Sequence, residues 1–159
     1  VDTAPDQLED LIRTLITLQF DGLILGNTSV RYAYHRKQID ERDHPIYDRF
    51  TTTFGGGLSG KVLNADSLKL ASLAVGIVNR LHPGGEFHVI RCGGVNSVED
   101  IEQSAANGIM LNQWYTGYYE GFAKHGHDVY KAIDQELAVV SDPERTESRR
   151  RVNSDETLS

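Results

Sequence analysis

Cysteine occurs once in the 159 residues, as Cys92, so no internal disulfide and no thiolate metal cluster can be built from this chain. That fits a reducing compartment. Positive charge is also scarce: 16 Lys and Arg face 23 Asp and Glu, for a net charge of −7. Nucleic-acid binding needs a basic field to displace condensed counterions, so no nucleic-acid partner is expected. An anionic ligand would need a local spot instead. No apolar run approaches the length of a membrane span. The chain opens on Val1 without methionine or a signal-like segment, as expected of a processed or incomplete N-terminus. A hydrophobic content of 39% over this length suits one ordinary domain or a piece of a larger one.

What is present centres on Val89 to Thr116, VIRCGGVNSVEDIEQSAANGIMLNQWYT. It reads as strand, glycine turn, short capped helix and a second strand that stops at Trp114-Tyr115-Thr116. In parallel α/β proteins the C-terminal ends of successive strands meet a common ligand, and here those ends carry Gly93-Gly94 and Tyr115-Thr116. Small residues let a backbone come close, and free N–H groups can hold a phosphate. This pair of turns is the candidate site.

Earlier in the chain, Val1 to Ala4 reads as the tail of a strand, and Pro5-Asp6 opens a helix. Asp6 and Glu9 stand at capping-box spacing, and Leu8, Leu11, Ile12, Leu15 and Ile16 share one face. GLILGN is a strand expected to be buried on both sides, with Asn27 and Thr28 at its C-terminal end. Val30 to Phe54 has no clear period and reads as a long loop, a lid or a partner contact. Gly55 to Lys61, GGGLSGK, matches two nucleotide-binding patterns on paper. Neither context holds, because Val62 replaces the hydroxyl residue of a P-loop and no strand leads directly into the glycines. A glycine turn that lets backbone approach a flat or anionic ligand remains. Asn64 or Asp66 can cap a helix carrying Leu68, Ala71, Val75 and Val78, which stops at His82-Pro83-Gly84-Gly85. Phe87 to Cys92 is then a strand, Ser97 and Asp100 cap a helix that Gly108 ends, and Ile109 to Trp114 is the last strand. A final amphipathic helix begins near His127-Asp128. Repeated strand–helix units mean an α/β fold with a parallel sheet. The tail 141–159 alternates charges with little to bury and is expected to be disordered or an extended docking arm. His125-Gly126-His127 has no third ligand nearby and reads as a surface turn, so no metal is expected. Cys92 reads as a small buried filler. Asn112 and Gln113 are polar within the last strand, and one of them faces inward.

Taken together, Pro5-Asp6 before an amphipathic helix, DGLILGNTS, GGGLSGK, CGGVNSVEDIEQSAANG and LNQWYTG resemble the dihydroorotate dehydrogenases in order and spacing. The likeness runs over about residues 1–138 and is closest to the membrane-associated, quinone-linked class. It implies a TIM (β/α)8 barrel with FMN at its C-terminal face, of which residues 1–140 resemble the C-terminal half, followed by the charged tail 141–159. Residue by residue, Asn27 and Thr28 match the pair that contacts the orotate ring. Gly26 stands where a flavin-contacting threonine is usual, and Gly60 matches a flavin contact. Gly93, Gly94, Tyr115 and Thr116 match the cradle of the FMN phosphate.

Two positions depart from that pattern. Asp2 stands where the family has a lysine that reaches the flavin, and Arg91 replaces a glycine beside the cofactor. An ion pair between them, filling a vacated flavin pocket, is one expectation; two outward, solvated side chains is the other. The family's base and its other pyrimidine contacts belong to the half that this sequence does not match, so no catalytic residue is assigned. By itself this chain is not expected to oxidise dihydroorotate. A half barrel also leaves sheet edges and an apolar inner face that another protein chain must cover. The resemblance thus leaves open a catalytically inactive structural subunit of a mitochondrial inner-membrane assembly, the C-terminal subunit of a split FMN enzyme, and a symmetric pair of copies that binds a phosphate ligand.

Overall fold

The computed structural model describes residues 2–140. Val1 and the expected tail at 141–159 lie outside the described residues. The order of elements is α1 (Pro5–Thr17), β1 (Gly22–Gly26), α2 (Tyr32–Arg36), α3 (His44–Thr53), α4 (Asn64–Leu81), β2 (His88–Cys92), α5 (Val98–Ala106), β3 (Leu111–Gln113), α6 (Thr116–His125) and α7 (Val129–Val140). Short 3-10 turns occupy Glu41–Asp43, Lys61–Leu63 and Gly126–Asp128. The strands form a parallel sheet in the order β1-β2-β3, open at both edges among the described residues. Two compact units divide within α6: Val1–Tyr119, which holds the sheet, and Glu120–Ser159.

Local chemistry explains most of these boundaries. Pro5 starts α1 because the first turn of a helix does not need its N–H, and Asp6 lies in the positive end of the helix dipole. The expected capping box is not formed: no side chain caps α1, and Glu9 instead binds Arg13 at 2.6 Å and pairs with Arg80. Nor does Asn64 or Asp66 cap α4, whose cap position is Leu63. At α5 the expected box is complete, with Ser97 and Asp100 each accepting the other's backbone N–H. His82, left-handed at φ 46°, ends α4 before Pro83. Asp2 to Ala4 carries no strand.

The core lies between the sheet and α1 and α4, built from Leu8, Ile12, Leu25, Leu70, Ala71, Ala74, Ile77, Val89 and Ile109. Burying each of its leucine, isoleucine and valine side chains is worth about 1.5–3 kcal/mol. The expectation that β1 is buried on both sides fails. Leu25 faces the helices at 3% exposure, while Ile24, pointing the other way, is 56% exposed. Paired in register, Ile24, Ile90 and Leu111 make an apolar row on the side of the sheet away from α1 and α4.

The reading of 30–54 as a loop also fails, because α2, a 3-10 turn and α3 fill most of it. Its periodicity is hidden because the segment folds largely on polar pairing. Asp40 accepts the Arg42 N–H, Pro45 sits in the first turn of α3, and Arg36 grips Asp48 through Nε and Nη2 at 2.7 and 2.8 Å. A further helix, α6 (Thr116–His125), stands where the sequence predicts none before His127.

Candidate functional site

Three segments converge at the C-terminal end of the sheet. β1 delivers Asn27 and Thr28, β2 delivers Cys92, Gly93 and Gly94, and β3 delivers Gln113 to Thr116. Ser59 and Gly60 come from the glycine turn beyond α3. Together they line a cavity of about 330 Å³ with Val95, Asn96 and Gly117. Asn27, Thr28, Gly60, Gly93, Gly94, Tyr115 and Thr116, all singled out from the sequence, are therefore brought together. Gly26 lies just behind, in register with Cys92. Ser59, Val95, Asn96 and Gly117 were not singled out, although α6 starting at Thr116 would have brought Gly117 forward.

No lining side chain carries a charge, so recognition here must come from hydroxyls, amides and backbone. Gly94 and Gly117 show how closely the backbones pack. A Cβ on Gly94, where φ is +75°, would lie 2.3 Å from the Asn64 nitrogen, and one on Gly117 would lie 2.5 Å from the Val95 carbonyl oxygen. Only glycine fits either place. The Thr116 hydroxyl donates to Ser59 Oγ at 3.1 Å, joining the glycine turn to the start of α6. Cys92 is half-buried against the cavity rather than a core filler, and burial pushes its thiol pKa up, which disfavours the thiolate. Asn112 turns toward the helices with its side-chain oxygen buried and unpaired, while Gln113 faces the cavity.

Asp2 and Arg91 do not form the expected ion pair, and Arg91 is not solvated either. Arg91 is fully buried, pointing to the helix side of β2. Its Nε donates to Ser67 Oγ at 3.0 Å, Nη1 to Ser104 Oγ at 2.8 Å and the Asp100 carbonyl at 3.2 Å, and Nη2 to the Asn64 carbonyl at 2.9 Å. Strand alternation decides this: Cys92 faces the cavity, so its neighbour Arg91 cannot. Asp2 instead accepts the Ser29 hydroxyl at 2.7 Å and the Val30 N–H at 2.8 Å, with Arg31 Nε 3.5 Å away. Burial works to raise the Asp2 pKa, but the two hydrogen bonds and the Arg31 charge outweigh it and hold the carboxyl below its usual range.

Asp2 thus fastens the 30–54 segment. Ser29 gives its single proton to Asp2, so its oxygen must accept from His35 Nε2 at 2.9 Å, as it does from the Arg31 N–H at 3.1 Å. His35 is fully buried and therefore carries its proton on Nε2, leaving Nδ1 without a partner. Ser29 also pairs with Leu58 as an isolated antiparallel bridge, closing the segment at its base.

Among the described residues no group of three or more His, Cys, Asp or Glu could hold a metal ion, and no helix is long and apolar enough to cross a membrane.

No protein-family profile matches the chain. Curated relatives do. A mitochondrial dihydroorotate dehydrogenase (quinone) of Arabidopsis thaliana is 34% identical over 141 residues, covering 86% of this chain and 26% of the relative. The corresponding mitochondrial protein of Oryza sativa subsp. japonica is 30% identical, with 86% and 25% covered. A dihydroorotate dehydrogenase (quinone) of Shewanella loihica is 31% identical, with 88% and 35% covered. The chain thus spans about a quarter to a third of the length of these relatives. Among solved structures, the DHODH of Eimeria tenella in complex with ferulenol matches with a TM-score of 0.62 at 24% identity, over 86% of this chain and 31% of that one. The fold shared there is a parallel α/β arrangement, whose sheet is open among the described residues of this chain. By sequence and fold, the chain is a diverged homologue of the C-terminal part of the quinone-dependent dihydroorotate dehydrogenases.

Proposed function

We propose that this chain is a dihydroorotate dehydrogenase-like subunit that keeps the phosphate-holding end of a flavin site, is inactive by itself, and serves as a structural component of a larger mitochondrial assembly. One observation carries the reading: seven positions matching the family's ligand contacts line a single cavity that contains no carboxylate, imidazole or amine. Backbone and hydroxyl groups of Gly93, Gly94, Tyr115 and Thr116 suit the phosphate of FMN, and the glycines at 94 and 117 let the neighbouring backbones of Asn64 and Val95 close in around the turn. Asn27 and Thr28 would face a planar pyrimidine. Bound FMN would supply the electron acceptor. Removing a proton from a substrate carbon needs a positioned base, and the titratable groups in this lining are a disfavoured thiolate at Cys92 and the phenol of Tyr115. These residues bind and orient; they do not move the proton.

The open sheet face calls for a covering chain: one carrying the remaining strands, an assembly neighbour, or a second copy. A mitochondrial site is supported by the names of the plant relatives, and placement at the inner membrane is part of the proposal, motivated by their quinone-linked class. A second reading, the C-terminal subunit of a split FMN-dependent dihydroorotate dehydrogenase with a quinone acceptor, gains from Arg91. Its side chain leaves the cofactor space clear. Two measurements decide. The chain is expected to quench FMN fluorescence on titration yet to reduce no dye with dihydroorotate. Dihydroorotate-dependent dye reduction by the isolated chain would end both readings; the same activity only in the native complex would favour the split enzyme.

A further inference from the structure

The cavity floor is shaped by a buried hydrogen-bond network behind it, and the way that network grips the glycine turn has a chemical consequence. Ser67 Oγ, which accepts from Arg91 Nε, donates to the Gly93 carbonyl at 2.5 Å. Asn64 Nδ2 donates to the Gly94 carbonyl at 2.9 Å and to Asp100 Oδ1 at 2.7 Å. Asp100 Oδ2 accepts the N–H groups of Asn96 and Ser97 at 2.8 and 3.1 Å. Both glycine carbonyls are thus held toward α4. The peptides are planar, and none among the described residues is cis, so the N–H that follows each carbonyl points the opposite way. The N–H groups of Gly94 and Val95 are therefore turned toward the cavity that these residues line.

We infer that Arg91, Ser67, Asn64 and Asp100 form a positioning network that presets the Gly94 and Val95 N–H groups to receive a phosphate monoester. Arg91 is its keystone. Its Nε donates to the Ser67 oxygen, whose single proton goes to the nearer of two carbonyls, Gly93 at 2.5 Å rather than Asn64 at 3.0 Å, and its Nη2 holds the Asn64 carbonyl. The cationic side chain acts from behind the turn and never touches the ligand. This inference rests on the phosphate reading above and assigns that site's selectivity to preset backbone donors rather than to a lysine or arginine in contact.

The test is nitrogen–proton NMR on the full chain, titrated with FMN and separately with inorganic phosphate, combined with amide hydrogen exchange. In the unsubstituted chain the Gly94 and Val95 amides are expected to shift with either ligand. Asn64→Ala and Arg91→Lys are expected to weaken phosphate binding at least tenfold and to speed exchange at Gly94 and Val95 more than at core amides. Ser72→Ala, outside the network, should change neither. Should Arg91→Lys fail to fold, Asn64→Ala decides alone. Folded variants that bind as tightly as the parent, with unchanged exchange at the two amides, would overturn the network. Exchange that rises as expected, while neither ligand moves a cavity amide in the parent, would keep the network and remove the phosphate reading.

Discussion

Single residues here take roles that their charge alone does not reveal. Arg91 and Asp2 have complementary charge, yet each satisfies itself locally: the guanidinium on neutral oxygens behind the sheet, the carboxylate on Ser29 and Val30. His35 is the residue with the most testable consequence. Burial is the main cause holding its pKa below the ordinary value of 6.5, with Asp66 pulling the other way. The unfolded chain takes up a proton near that value while the folded chain resists it. The unfolded state therefore binds more protons just below pH 6.5, and stability is lost as pH falls through that value. His35→Gln keeps a donor for Ser29 but does not titrate. Urea midpoints at pH 7.5 and 5.5 should differ clearly for the parent chain and less for His35→Gln; an equal difference in the two chains would remove His35 from the pH response.

At the scale of elements, the two faces of β1 behave as different materials. Leu25 is packed among α1, α4 and β2, whereas Ile24 points to the uncovered side. Leu25→Ala is expected to cost about 2–5 kcal/mol through lost burial and a cavity. Ile24→Ala should stay within about 0.5 kcal/mol in the isolated chain. Denaturant unfolding of both variants checks the contrast, and similar losses would mean that something already covers Ile24. The 30–54 segment is an element of another kind. Its helices are held by Arg36–Asp48, Arg31–Asp66 and the Ser29 junction more than by a core, which is why no apolar period marks them. The GGGLSGK turn shows the reverse. Two nucleotide-binding patterns are legible in it, and neither fits its context; the tertiary structure uses only Ser59 and Gly60 from it to line the cavity.

For the molecule as a whole, the unsatisfied part is the apolar row Ile24–Ile90–Leu111, flanked by Phe20 at 54% exposure. Contiguous exposed apolar surface of this kind marks an interaction face. A chain bearing it is expected to self-associate or bind a hydrophobic dye. The double variant Ile24→Lys and Leu111→Lys should sediment as a monomer and lose the dye signal without unfolding, since both side chains are already exposed. Sedimentation of the parent as a dye-silent monomer would contradict this. The same face is where the proposed covering chain would lie, so loss of assembly in the double variant would connect the open sheet to the proposed structural role.

The sequence by itself determined the alternation of α1, β1, α4, β2, α5 and β3, the parallel sheet, the capping box at Ser97 and Asp100, and the convergence of Gly93, Gly94, Tyr115 and Thr116. Those features depend on local chemistry and on linked motifs, which a linear string records. Only the tertiary structure decided which way Arg91 and Asp2 point, which face of β1 is bare, and how Asn64 and Ser67, far along the chain, grip the glycine turn. Such choices are settled by pleat direction and by competition for hydrogen-bond partners across distant segments. They exist only once the chain has closed around them.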